Sequence, residues 1–223
     1  MYENAAADNE LPPNKAHLGV GPTFPRFSGL DIADACLRRL FQAASLVPSD
    51  WNSQTWRWIV VRRDGGKKYL EGATYLKIPL SSAPVVLICI ADTLAWKSAP
   101  QYLDALIASR KITEEEGRET LRRVWEYYSS SPEVAKRTAL ANAFAAVHQV
   151  LLGAEECNLS AHWVTEFDES KLKTQFHIPD HFLVAALVAI GYREETQVQP
   201  VSSSSACTFV YKEKFGEALA PTP

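Results

Sequence analysis

Apolar residues recur with a helical period over residues 32–46. Ile32, Cys36, Leu37, Leu40, Phe41 and Ala44 fall at i, i+4, i+5, i+8, i+9 and i+12, which is one helix face. Asp31 is placed to cap that helix, Asp34 lies in its first turn, and Pro48 ends it. After a polar stretch at 49–55, the β-branched and aromatic run Trp56–Val61 reads as a strand closed by the turn former Asp64-Gly65-Gly66. Residues 67–73 suit a short helix. The unbroken apolar run 84–91 reads as a strand buried on both faces.

The middle third is helical in pattern. Thr113 and Glu116 form a capping box that opens a helix ending near Tyr128. Ser131 and Pro132, at N-cap and N1, open a long one that runs to about Glu156. Its stripe is Leu140, Phe144, Val147, Leu151 and Ala154, widened by Ala143, Ala146 and Val150, so most of its sides should be buried. A short strand at 162–164, a helix at 169–175, a buried strand at 182–192, a loop at 198–206 and a β-prone piece at 208–211 follow. A few strands among many helices make an α+β or α/β domain. Residues 1–25 are polar and aperiodic and read as an arm, 26–215 as a single domain, and 216–223 as a tail.

Composition narrows the function classes. The chain has 223 residues, is 47% hydrophobic and carries a formal net charge of −3, ordinary globular values that support one substantial core. Arg38–Arg39, Arg62–Arg63, Lys67–Lys68 and Arg122–Arg123 are scattered pairs. They read as solvated surface rather than the concentrated basic face of a nucleic-acid binder. The four cysteines, Cys36, Cys89, Cys157 and Cys207, have no metal-ligand spacing, and three sit in apolar stretches as small buried hydrophobes. With no signal peptide and no run long enough to span a bilayer, the expectation is a cytoplasmic protein with no membrane partner.

Familiar catalytic motifs are absent. His177 and His181 are separated by Pro179, which argues against a metal pair, and His148 reads as an interior or interfacial histidine. One segment stands out: Pro48-Ser49-Asp50-Trp51-Asn52-Ser53-Gln54-Thr55-Trp56. It joins a helix to a strand and sets short polar side chains between two tryptophans. These groups suit a polar planar ligand, and a plain connecting turn is the alternative.

This segment resembles the A-P-S-x-x-N-x-Q-P-W fingerprint of the nitroreductase family, with Val47 for alanine and Thr55 for proline. The likeness continues in register through Ala83-Pro84-Val85-Val86, Gln149-Val150-Leu151-Leu152-Gly153-Ala154 and Asn158-Leu159-Ser160-Ala161-His162-Trp163. Phe167-Asp168, Ile178-Pro179 and Ile190-Gly191-Tyr192 close it, so the blocks span about residues 26–192. The resemblance implies an α+β fold: a three-layer α-β-α sandwich with a mostly antiparallel central sheet flanked by helices, working as a homodimer. It also implies FMN at the dimer interface, which takes hydride from NAD(P)H at N5 and reduces a small planar acceptor such as a nitroaromatic or a quinone.

By position, the resemblance places Pro48, Ser49, Asp50 and Asn52 against the flavin, largely from the partner subunit. Val164, Thr165 and Glu166 make the turn whose main-chain N–H lies over N5. Asn142 takes a polar contact to the ring or ribityl chain. The family opens with arginines that grip the phosphate, and both are missing here: Gly21-Pro22-Thr23-Phe24-Pro25-Arg26 precede Phe27. A grip rebuilt from Arg26, Lys212, Lys214 and the Thr23 hydroxyl follows, with Lys77 as another cation. The missing arginines keep open a flavin-free binding or scaffold protein on the same fold, and a specialised flavin oxidase or dehalogenase is the third reading. Trp96, Tyr102, Trp125, Tyr127 and Tyr128 either line a substrate channel or form helix-face core.

Overall fold

The chain runs α1 (Asp34–Ser45), β1 (Trp56–Val61), α2 (Asp64–Ala73), β2 (Val85–Asp92), α3 (Ala99–Ala108), α4 (Glu114–Ser129), α5 (Pro132–Glu156), β3 (Ser160–Val164), α6 (Glu169–Phe176) and β4 (Phe182–Gly191). The computed structural model describes residues 26–75, 79–194 and 210–217. The expected loop at 198–206 lies outside them.

The four strands form one sheet in the order β1-β2-β4-β3, and every neighbouring pair is antiparallel. The two unbroken apolar runs, β2 and β4, occupy its middle, where both faces are covered by helices. The pleat of β2 divides its side chains between two cores. Val85, Leu87, Cys89 and Ala91 pack with α1 and α5. Val86, Ile88 and Ile90 pack with Leu70 of α2 and Leu172 of α6. The result is the expected α-β-α sandwich. The β2–β4 register slips between Cys89 and Ile90, so Ala185 is an extra residue in β4. Ala185 and Ala186 consequently face the same core, and alternation resumes on either side. The Val184 N–H donates to Glu169 Oε1 at 3.0 Å, which ties the start of α6 to the strand.

Helix α5 buries Ala135, Ala139, Ala143, Ala146, Val150 and Ala154. Of the expected stripe, Val147, Leu151 and Ala154 are buried, as are the widening residues Ala143, Ala146 and Val150, whereas Leu140 and Phe144 are half-buried. Small side chains sit where α1 and the sheet come closest: a Cβ on Gly153 would stand 3.2 Å from Leu40 Cδ2. Phe144 instead flanks the contact, edge-on to Trp163 with ring centroids 5.6 Å apart.

Several local expectations change. Helix α1 starts at Asp34 with Ala33 as its uncapped N-cap residue. Asp31 accepts from the Ile32 N–H at 2.8 Å and from Arg62 at 2.7 Å. Arg62 also reaches Asp34 and the Ile32 carbonyl, so it clamps the start of α1 to the end of β1 rather than sitting solvated. Asp64-Gly65-Gly66 opens α2 instead of forming a free turn. Lys67 is buried, with Nζ donating to the Ala83 carbonyl at 2.9 Å and pairing with Asp64 at 3.2 Å. Cys89 is buried, but Cys36 and Cys157 are half-exposed free thiols, and His148 is exposed on the single chain. Among the described residues no helix is long and apolar enough to cross a membrane.

Candidate functional site

The 49–54 connection between α1 and β1 is tightly bonded and strained. Ser49 Oγ accepts from the Gln54 N–H at 2.9 Å, and Gln54 Nε2 donates back to the Ser45 carbonyl at 3.1 Å. The Asn52 N–H donates to the Ser49 carbonyl and the Ser53 N–H to that of Asp50, both at 3.0 Å. Trp51, Asn52 and Gln54 have φ of 55°, 50° and 41°. Left-handed backbone costs L-residues about 1–2 kcal/mol each. Asparagine tolerates it, whereas tryptophan and glutamine lack that local compensation. Strain of this kind gathers at functional sites. The turn leaves Pro48, Asp50 and Asn52 exposed and Ser49 half-buried.

Thr55 seats the turn on α5. Its buried hydroxyl donates to the Ala139 carbonyl at 3.0 Å. Three residues along, on the same side of the helix, Asn142 is half-buried, and its Nδ2 is fully buried with no hydrogen-bond partner among the described residues. An unpaired buried donor costs about 1–3 kcal/mol, and native structures hold few.

Thr165 and Glu166 follow β3 and are exposed. The Glu166 carbonyl accepts from the Tyr75 N–H at 3.0 Å, and the Asp168 N–H donates to the Ala73 carbonyl at 2.9 Å, which pins the turn to the end of α2. The Thr165 N–H is taken by Glu166 Oε2 at 3.2 Å. On β3 itself, burial lowers the pKa of half-buried His162 from its ordinary 6.5, against the opposing pull of the Glu166 carboxylate.

These parts do not all meet in one chain. The 49–54 turn leads into β1 and the 165–166 turn leaves β3, and these are opposite edges of the sheet. Three strand spacings put those edges about 14 Å apart. Arg26 is exposed beside the end of β4: its carbonyl accepts from the Glu194 N–H, and Phe27 bridges Arg193. Lys212 and Lys214 are exposed in a turn in which the Lys212 N–H donates to the Glu217 carbonyl at 2.7 Å. Thr23 and Lys77 lie outside the described residues.

A cleft of about 380 Å³ opens beside the strained turn, lined by Asp50, Trp51, Tyr127 and Tyr128. Trp96 stacks on Tyr128 at 5.2 Å and 6°, and Trp125 stands edge-on to Trp96 at 4.8 Å. Trp96 and Tyr128 are core, whereas Trp125 and Tyr127 are exposed. The Tyr128 hydroxyl donates to Asp50 Oδ2 at 3.5 Å. No sequence signal announced that contact, because 78 positions separate its partners. A wider depression of about 680 Å³ covers the charged face of α4. Arg122 and Arg123 there are already paired with Glu119, and Arg122 also with Glu126, so it offers little to a ligand.

The model of the nitroreductase family matches residues 26–192, from the segment beside β4 to the end of the sheet. The chain belongs to the nitroreductase family. It is 30% identical over 166 residues to an NADH dehydrogenase of Thermus thermophilus, covering 74% of this chain and 78% of that one. Among solved structures, a nitroreductase-like protein from Streptococcus mutans superposes with a TM-score of 0.74 at 17% identity, covering 86% of this chain and 94% of that one. An FMN-dependent nitroreductase from Clostridium difficile gives 0.59 at 17% identity, covering 89% and 98%. These likenesses establish a nitroreductase fold, and the 49–54 turn, Asn142 and the 165–166 turn all fall within the matched segment.

Proposed function

We propose that the chain is an FMN-dependent oxidoreductase that uses NAD(P)H to reduce a small planar acceptor, such as a nitroaromatic or a quinone. FMN, when bound, supplies the two-electron carrier, taking hydride at N5 and releasing it again. The observation that carries the reading is Asn142: a buried amide donor without a partner among the described residues, on the helix that seats the strained turn. FMN offers carbonyl and hydroxyl oxygens that would satisfy it. The names of the Thermus relative and of the Clostridium neighbour point to the same chemistry.

The residues divide the work. Asn142 donates to an acceptor atom of the cofactor. Pro48, Ser49, Asp50 and Asn52 present a rigid polar rim that covers the flavin of a second copy, so the working unit is a homodimer. This arrangement explains why the two turns stand on opposite edges of one sheet. The main chain at Thr165 and Glu166 faces N5, which requires the Glu166 carboxylate to leave the Thr165 N–H. Arg26, Thr23, Lys77, Lys212 and Lys214 supply charge and a hydroxyl for the phosphate.

The test is the visible absorption of the purified protein, followed by FMN titration into wild type and Asn142→Leu. Wild type should be yellow, or become so with added FMN. The variant should bind FMN at least about tenfold more weakly, while the flavin-free variant melts no lower than flavin-free wild type, because the lost donor had no partner. A protein that stays colourless in excess FMN overturns the reading in favour of a flavin-free scaffold.

A further inference from the structure

The cleft beside the strained turn has a composition that specifies a ligand charge. Among the described residues its lining is three aromatic rings, Trp51, Tyr127 and Tyr128, and one carboxylate, Asp50, with no lysine or arginine. Aromatic faces carry negative electrostatic potential and attract cations. Asp50 adds a formal charge of the same sign. Two arginines hydrogen-bond at the rim of the cleft and along the turn beside it. Arg137 donates to the Tyr127 hydroxyl at 3.3 Å, and Arg57 donates to the Gln54 and Trp56 carbonyls at 2.7 and 2.8 Å.

The walls are also set in advance. Tyr128 is fixed by its stack on Trp96, and Trp51 packs against the same buried cluster. Burial, reinforced by the charge of Asp50, pushes the Tyr128 phenol up to about 12. Its hydroxyl therefore stays protonated and donates to Asp50, so the carboxylate is oriented rather than opposed. Little ordering is left for a ligand to impose.

We propose that this cleft binds a flat aromatic cation, of the N-alkylpyridinium or arylammonium class, and disfavours carboxylated aromatics. As a binding site the cleft stands on its own geometry; that it selects the charge class of the electron acceptor rests on the oxidoreductase reading above. A cation gains from both the ring faces and Asp50, a neutral ring gains stacking alone, and an anion meets like charge.

Three one-ring probes that differ chiefly in charge test this by titration calorimetry on the full chain at low salt: phenyltrimethylammonium, acetanilide and benzoate. The cation should bind at least about fivefold more tightly than acetanilide, with benzoate weakest, and added salt should narrow the gap. Asp50→Asn, a near-isosteric change that removes the carboxylate's charge, should bring the cation to within about twofold of acetanilide. Tyr127→Leu should weaken the cation in its own right. The proposal is overturned by absence of cation binding, by benzoate or acetanilide matching the cation, or by a preference that survives Asp50→Asn. Absorption spectra of the same samples separate the two claims. A colourless protein that still prefers the cation removes the flavin reading alone, and a yellow one without the preference removes this one alone.

Discussion

Gly191→Ala tests how tightly the end of β4 is packed. A Cβ there would stand 2.6 Å from Phe27 Cδ1, 2.6 Å from Pro84 Cδ and 3.0 Å from Pro84 Cγ. Comfortable carbon contacts lie at about 3.5–4.0 Å, so the methyl overlaps two neighbours by close to 1 Å. Neither neighbour yields easily: one is a buried aromatic ring whose backbone bridges Arg193 just past β4, the other a proline ring immediately before β2. Overpacking costs about 1–3 kcal/mol, and two rigid rings place this change near the upper figure. For a chain of this size that is a fall in Tm of about 6–12 °C. The matched control is Gly65→Ala in α2, where, apart from its chain neighbours and its own helix backbone, no atom of the described residues lies within 4 Å of the added Cβ. Alanine is favoured over glycine in a helix by about 0.5–1 kcal/mol, so this variant should melt a degree or more higher. Thermal melts followed by far-ultraviolet circular dichroism read both. A Gly191→Ala protein melting within about 1 °C of wild type would refute the packing argument.

Lys67→Met leaves the Ala83 carbonyl without its donor, and guanidinium unfolding should show a loss of about 1–3 kcal/mol. Thr55→Val removes the hydroxyl that reaches Ala139 and should cost about 1 kcal/mol, read as a Tm drop of about 2–4 °C. Because burial holds the His162 pKa below 6.5, the unfolded chain takes up that proton first as pH falls. Stability should therefore decline below pH 6.5 until the folded-state pKa is passed, and His162→Gln should remove that part of the slope in denaturant melts across the acid range.

What could be read along the chain was whatever depends on near neighbours. Strand β1 and the Thr113–Glu116 capping box are local patterns, and both stand where their residues place them. The Asp64-Gly65-Gly66 stretch misleads because its glycines look like turn formers. Gly66 is in fact helical, and a Cβ there would meet Val61 Cγ1 at 2.8 Å, a constraint set by β1. Lys67 and Arg62 look like ordinary surface cations until their partners, Ala83, Asp31 and Asp34, arrive from elsewhere. The site divides the same way. The 49–54 motif is contiguous and legible. The missing partner of Asn142, the left-handed backbone at Trp51 and the contact from Tyr128 to Asp50 exist only once the chain has closed on itself.

The pairing of β2 with β4 also governs how the molecule is made. Val85 stands opposite Ile190, so about a hundred residues must be synthesised between the two halves of the central ladder. At about 5–20 residues per second, the first strand waits roughly 5–20 s for its partner. During that time β1 can cover one edge of β2, while the other edge, an almost wholly apolar run, is open to any strand that passes. The centre of the finished sheet is thus the last part to be completed on the ribosome, and the risk of aggregation is concentrated in that interval.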